Sequence, residues 1–127
     1  MKGLDERTNA LLYEIIGAAI EVHRVLGPGL LESIYEDVLC IELEERNIQY
    51  HRQKPIAIVY KGRSIGSGRI DILIDDRVIV ELKSVGQLIP IHTAQIMTYL
   101  KLTGVKLGLL INFNTELLKN GIKRIIL

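Results

Sequence analysis

The chain has no tryptophan, one phenylalanine and one cysteine in 127 residues, and aromatics make up only 5% of it. Its core must therefore be aliphatic, and a hydrophobic content of 48% is enough to build one from Ile, Leu and Val. A single thiol, Cys40, excludes an internal disulfide and a cysteine-based zinc site. Its place inside an apolar helical pattern predicts a packed side chain rather than a nucleophile. No run approaches the roughly 20 uncharged apolar residues of a membrane span, and the charged opening from Met1 to Arg7 is unlike a signal peptide. A protein without membrane contact, in a reducing cytoplasm, is expected. The length suits a single domain over residues 1–127.

Charge of one sign is also missing from long stretches. From Gly27 to Glu45 there are six acidic residues and no Lys or Arg; from Arg46 to Ile70 there are six basic residues and no Asp or Glu. The last part, Lys101 to Leu127, holds Lys101, Lys106, Lys119, Lys123 and Arg124 against Glu116 alone. A formal net charge of +1 says nothing about partners, but the segregation suits a chain with one phosphate-facing surface. A solvated hairpin that happens to be basic would leave the same record.

Helical spacing covers residues 8–26, where Leu12, Ile15, Ile16, Ala19, Val22 and Leu26 recur at steps of three and four and Thr8 can serve as N-cap. His23, near its end, suits a structural or helix-terminal role better than catalysis. Gly27-Pro28-Gly29 breaks the helix. A second helix runs from about Leu30 to Arg46, with Leu31, Ile34, Val38 and Ile41 as the expected core stripe, Leu39 and Leu43 widening it, and Glu32, Tyr35 and Glu36 on a flank. Ile48 to Gln53 and Ile56 to Tyr60 read as two β pieces parted by Lys54-Pro55. Lys61-Gly62-Arg63 turns a hairpin, and Gly66-Ser67-Gly68 reads as a bulge or a close approach to ligand. A third helix, from Pro90 to about Leu102 with Gly104 as its stop, would turn Ile91, Ala94, Met97, Thr98 and Leu102 to a sheet and His92, Gln95 and Tyr99 elsewhere. Val105 to Asn112 is apolar enough for a buried strand, Thr115 to Asn120 is a polar connection, and Ile122 to Leu127 closes as a strand. The order α-α-β-β-β-β-α-β-β predicts an α/β (α+β) fold, a central mixed sheet flanked by helices.

Between Arg69 and Lys83 the pattern breaks its own rule. Two apolar strands flank the turn Asp75-Asp76-Arg77, yet Asp71 sits between Ile70 and Ile72, and Glu81 and Lys83 flank Leu82 on one face of the next strand. Charges are seldom buried unless paired or bound to metal, so this is either a buried ion-pair cluster or a metal-dependent catalytic site. Phosphodiester cleavage uses a divalent cation to neutralise the scissile phosphate and activate water. Asp71 and Glu81, with a carbonyl such as that of Leu82, form a hard-oxygen set of the kind Mg²⁺ takes, and Lys83 is placed to orient the attacking water or stabilise developing negative charge.

The spacing of Asp71 and then Glu81-Leu82-Lys83 resembles the Asp…(Asp/Glu)-X-Lys signature of the PD-(D/E)XK nuclease superfamily, with Ile70 in place of the eponymous proline. Gly29-Leu30-Leu31-Glu32-Ser33-Ile34-Tyr35 resembles the motif that names its small GxxExxY proteins, and the likeness runs from the first helix to Gly108-Leu109-Leu110-Ile111-Asn112-Phe113. The resemblance implies a restriction-endonuclease-like core and a Mg²⁺- or Mn²⁺-dependent nuclease acting on nucleic acid, DNA before RNA. It makes Asp71 and Glu81 metal ligands, Lys83 the catalytic lysine, and Glu32 the helical acid, bound to metal directly or through water. Gln95 and Tyr99 match the Gln-X-X-X-Tyr element of the RecB-type branch, beside the site; a helix face capped by polar side chains is the weaker competing reading. His92 and Arg69 are second-tier candidates.

The resemblance leaves open a non-catalytic nucleic-acid-binding or assembly module. A purely structural Asp-Glu-Lys-Glu network competes too, although a buried net charge of that sign is costly without a cation. The small size favours a homodimer or a larger protein partner, because specific DNA interfaces bury on the order of 1,000–2,500 Å² of protein.

Overall fold

The computed structural model describes residues 3–127. Helix α1 (Glu6–Leu26) starts earlier than its apolar spacing suggests: Asp5 Oδ1 accepts the Thr8 amide at 2.7 Å, so Asp5 rather than Thr8 is the N-cap. An ionised cap also suits the positive end of the helix. His23 has the structural role expected of it, its ring Nε2 donating to the Thr115 carbonyl at 2.7 Å.

Helix α2 (Glu32–Glu45) packs on α1 with Leu39 and Leu43 buried as expected, but the rest of the expected stripe is turned away. Tyr35, Glu36, Leu39, Cys40 and Leu43 are buried, whereas Leu31 is 70% and Ile41 54% exposed. Tyr35 decides the rotation. Its ring stacks on Phe113 at 4.5 Å between centroids. Its hydroxyl donates to the Gly27 carbonyl at 2.6 Å and accepts the Leu30 amide at 3.2 Å. A ring buried on two sides, with its polar tip satisfied, outweighs the aliphatic Ile34 beside it. Counting Tyr35 as polar is what turned the stripe by one residue. Cys40 is a packed thiol, and burial pushes its pKa up to about 11.

Five strands follow the sheet order β1 (Tyr50–Tyr60), β2 (Arg63–Ile74), β3 (Val78–Lys83), β4 (Leu107–Asn112) and β5 (Ile122–Ile126). Only β3 and β4 are parallel, and the crossover between them is α3 (Pro90–Thr103). Three strands precede α3 instead of the expected four, because Pro55 stays inside β1. It can do so since β1 is the sheet edge, the place in a sheet where proline is tolerated. The extra residue of the β1–β2 hairpin is Ile65, between the pairs Ile58↔Gly66 and Val59↔Ser64, not within Gly66-Ser67-Gly68.

The sheet has a core on each face. Helices α1 and α2 cover Ile72, Ile74, Val80, Leu82 and Ile111; α3 covers Ile70, Leu73, Ile79 and Leu110. From α3 the buried residues are Ile96, Tyr99 and Leu100; Ile91 is 64% and Leu102 37% exposed, Ala94 and Thr98 are exposed, and Met97 is partly buried. Apolar residues lie all round this helix, so spacing selects no face. The sheet does: a Cβ on Gly108 would stand 2.8 Å from Ile96 Cδ1, and its absence seats Ile96 on β4. Among the described residues no helix is long and apolar enough to cross a membrane.

Candidate active site

Strands β2 and β3 pair at Ile74↔Val78, Leu73↔Ile79 and Ile72↔Val80, and then separate. Continuing the register would set Asp71 opposite Glu81. Instead Asp71 Oδ2 accepts the Leu82 amide at 2.9 Å, filling with a carboxylate the place of a ladder carbonyl. Across β1, Gln53 falls between the pairs Arg52↔Ile72 and Lys54↔Ile70 and has φ 50°. Ile72 belongs to the α1–α2 core and Ile70 to the α3 core, although residues two apart should share a face. Both strands thus change face at Gln53 and Asp71. A left-handed glutamine is a strained conformation that the surroundings must hold.

Glu81 lies at the mouth of this separation and is only 5% exposed; its Oε1 has no hydrogen-bond partner. Burial, reinforced by the adjacent Asp71 carboxylate, pushes its pKa up to about 10 against the opposing pull of Lys83. A carboxylate so placed keeps a proton or takes a cation. The Glu32 carboxyl, in the first turn of α2, is also raised, by partial desolvation first and then by Asp71 and Glu36, again opposed by Lys83, although the residue as a whole is exposed and the shift is correspondingly screened. Glu32, Asp71, Glu81 and Lys83 therefore share one electrostatic neighbourhood. Among the described residues no three His, Cys, Asp or Glu side chains converge closely enough to hold an ion unaided. The side chains that could share in holding one are the Asp71–Glu81 pair, with Glu32 in the same electrostatic neighbourhood. A hard divalent cation, which takes one or two carboxylates and fills its remaining positions with water and phosphate oxygens, fits that pair and the orphaned Oε1.

A family model described as the PD-(D/E)XK nuclease superfamily matches residues 9–125. The chain belongs to the PD-(D/E)XK nuclease superfamily. No curated protein and no solved structure matches it. The mixed five-stranded sheet between helices agrees with the restriction-endonuclease-like core expected from the sequence.

Several supports of the cluster in this superfamily member escape a reading of charge spacing alone. Glu36, one turn after Glu32, is buried and accepts Arg52 through Nε at 3.2 Å and Nη2 at 2.8 Å, and Gln53 through Nε2 at 2.7 Å. Arg52 also reaches Asp37 at 2.6 Å. Beyond Lys83, Ser84 Oγ donates to the Leu30 carbonyl at 2.6 Å and the Phe113 amide to the Lys83 carbonyl at 3.0 Å. Buried Asn112 clamps Val85, its Nδ2 donating to the Val85 carbonyl at 2.9 Å while its Oδ1 accepts the Val85 amide at 3.1 Å. A buried Asn ending an apolar strand was the available signal for that clamp.

The α3 pair is divided. Tyr99 is buried against Gly68, three residues before Asp71 on β2, whereas Gln95 is exposed, its Nε2 3.5 Å from the Tyr99 hydroxyl. The close approach at Gly68 is thus to a tyrosine ring. His92 Nδ1 accepts the Ile89 amide at 3.1 Å, a helix-start contact.

Proposed function

We propose that the protein is a Mg²⁺- or Mn²⁺-dependent nuclease that hydrolyses phosphodiester bonds of DNA. One observation carries this most strongly: a buried glutamate with an unpartnered oxygen, Glu81, stands beside a second carboxylate, Asp71, with Lys83 two residues further along the same strand. A purely structural network would have satisfied that oxygen or replaced it. In this reading Asp71 and Glu81 hold the ion, and Glu32 meets it directly or through water. A bound ion supplies charge neutralisation at the scissile phosphate and a more acidic water. Lys83 orients the attacking water and stabilises negative charge growing on the phosphate. The Leu82 amide holds one oxygen of Asp71 and so fixes the carboxylate next to Glu81. Gln95 and Tyr99, on α3, flank the strand that carries Asp71 and position substrate.

We further read the chain as a member of the GxxExxY branch. Gly29, with φ 97°, allows the turn before α2, Glu32 opens the helix, and the Tyr35 hydroxyl closes back on Gly27 and Leu30. That set gives the motif's spacing a physical purpose: it fixes where the first turn of α2 points. A single domain working in a reducing cytoplasm, as a homodimer or with a larger protein partner, completes this reading; the free thiol of Cys40 is consistent with the compartment.

Calorimetric titration of Mn²⁺ and Mg²⁺ into the wild type and Asp71→Ala, followed by assay of the same samples on single-stranded, duplex and branched DNA, tests the proposal. Metal binding lost in the variant, with metal-dependent cleavage by the wild type, is expected. Metal binding without cleavage on any substrate would favour a non-catalytic nucleic-acid module, and no metal binding in either protein would overturn the site.

A further inference from the structure

Helix α2 carries Glu32 in its first turn, yet that turn has no side-chain cap. Its N-cap is Leu31, which offers no acceptor to the free amides that follow it. The segment before it is poorly fixed by its own backbone. Gly27 and Gly29, with φ 69° and 97°, flank Pro28, and each glycine leaves the chain alternatives to the observed turn. What fixes the direction of Glu32 therefore lies outside the helix.

Leu30, two residues before Glu32, is held on both sides. Its amide donates to the Tyr35 hydroxyl at 3.2 Å, and its carbonyl accepts Ser84 Oγ at 2.6 Å. Ser84 follows Lys83 directly, and its neighbours are tied to the end of β4. The Lys83 carbonyl accepts the Phe113 amide at 3.0 Å, and the buried Asn112 side chain clamps both backbone polar groups of Val85. Phe113 in turn stacks on Tyr35. The contacts close a ring: from Lys83 to Phe113, to Tyr35, to Leu30, to Ser84, and along the chain back to Lys83. In that ring the half-buried Ser84 hydroxyl joins the strand end bearing Lys83 to the turn bearing Glu32.

We propose that Ser84 is a positioning residue: by holding the Leu30 carbonyl, its hydroxyl sets the Glu32 carboxylate against Lys83 and the Asp71–Glu81 pair. That Glu32 meets an ion there rests on the nuclease reading above; the tie itself rests on the ring of contacts. A serine hydroxyl suits the task. It is short, so little play is left between the two backbones, and it adds no charge to a neighbourhood that already holds Glu32, Asp71, Glu81 and Lys83. Groups that orient a metal ligand without touching the ion are worth about 10- to 100-fold in affinity or activity. A bond that merely steadied the fold would leave the ion indifferent. A bond that positions Glu32 loses its effect once Glu32 no longer binds.

The test uses the full chain and two readouts. Amide hydrogen exchange in EDTA follows the turn without any ion. Ser84→Ala should speed exchange of the Leu30, Ile34 and Tyr35 amides by about tenfold while the β4 amides keep their rates, and Ser84→Thr should restore the turn. Thr103→Ala, which loses a hydroxyl-to-carbonyl bond of 2.8 Å at the C-terminus of α3, should leave those three amides unchanged. Calorimetric titration of Mn²⁺ then closes a cycle with Glu32→Gln. Ser84→Ala should weaken Mn²⁺ about tenfold in the wild-type background and much less in the Glu32→Gln background. Unchanged exchange in Ser84→Ala, no rescue by threonine, or losses that add in the cycle would each overturn the proposal. The expected exchange rates in a protein that binds no Mn²⁺ would leave the Ser84 tie standing and remove the nuclease reading; metal-dependent cleavage with additive losses would do the reverse.

Discussion

Glu36 Oε1 accepts the side-chain amide of Gln53 at 2.7 Å, tying α2 to the residue that faces Asp71 across the β1–β2 ladder. Glu32 lies one turn before Glu36 on the same helix, so the contact sets the helical acid against the strand acid. Two strained features meet there: a left-handed Gln53 and a β2 that changes face at Asp71. A helix tethered to a strand at its irregular residue is a way to keep both in place.

Glu36→Ala should lower stability by about 2 kcal/mol, because it removes charge-assisted bonds from Arg52 and leaves the Gln53 amide without its acceptor. At Gln53 the backbone makes a separate claim. Gln53→Gly and Gln53→Val both lose the side-chain bond, but valine is poorly suited to φ 50° and should be less stable than glycine by roughly 1–3 kcal/mol. Urea unfolding of the three variants measures both effects; equal stability of the valine and glycine proteins would remove the strain.

How much of this was legible in the sequence depended on whether a residue's neighbours were local. Asp71, Glu81 and Lys83 announced themselves because charge inside an apolar strand has few explanations, and strand alternation fixes relative direction over a few residues. The turn at Gly104 and the break at Gly27-Pro28-Gly29 were legible for the same reason. The faces of α2 and α3 were not. Tyr35 is buried because Phe113, 78 positions away, offers a ring to stack on, and Ile96 because Gly108 on β4 leaves it room. Pro55 remained in a strand because β1 is an edge, a fact about sheet order that no window of residues contains. The role of Glu36 was hidden by its proximity to Glu32: both read as flank acids until Arg52 and Gln53 arrive from another element.

The raised pKa of Glu81 makes the metal-free protein sensitive to pH. The ordinary value is 4.5 and the folded value about 10, so between them the native state holds a proton that the unfolded chain has released. Stability from this group is fully present below about 4.5 and falls as pH rises toward 10. In EDTA, melting temperature should therefore drop from pH 6 to pH 8.5, below the range in which Cys40 titrates. Glu81→Gln should flatten the slope and melt several °C higher at the alkaline end. Mn²⁺ binding must displace the same proton, so its apparent affinity should rise with pH in the wild type. A Glu81→Gln protein no more stable than the wild type at pH 8.5 would show that the carboxyl has found another partner.

Lys83 touches the electrostatics of both Glu32 and Glu81, lowering each, and so draws two roles apart. As a group acting on phosphate and water, it should be needed for turnover and not for metal. Lys83→Ala is expected to reduce kcat by about 100- to 1000-fold while leaving KM for DNA and Mn²⁺ affinity nearly unchanged. Removing an ammonium beside two carboxylates can only favour a cation there. Metal affinity falling in step with kcat would make Lys83 a structural counter-ion, and single-turnover kinetics beside calorimetry tells the two apart.

Gly68 and Tyr99 provide a test of how α3 is seated on the β1–β2 hairpin. A Cβ at Gly68 would stand 2.9 Å from Tyr99 Cε1 and 3.1 Å from its hydroxyl, whereas one at Gly66 would meet nothing within 4 Å. Gly68→Ala should therefore destabilise by about 1–3 kcal/mol, through overpacking, and Gly66→Ala by much less. Shortening the ring to Tyr99→Leu opens the space, so the double variant with Gly68→Ala should be more stable than the sum of the single effects by about 1 kcal/mol. The cycle also has a bearing on activity, since Tyr99 and Gln95 flank the strand of Asp71. Gly68→Ala should disturb cleavage through KM more than kcat, for it moves the hairpin and α3 without touching Asp71, Glu81 or Lys83. Additive stabilities in the cycle, or equal effects at Gly66 and Gly68, would place Tyr99 away from the hairpin and separate α3 from the site.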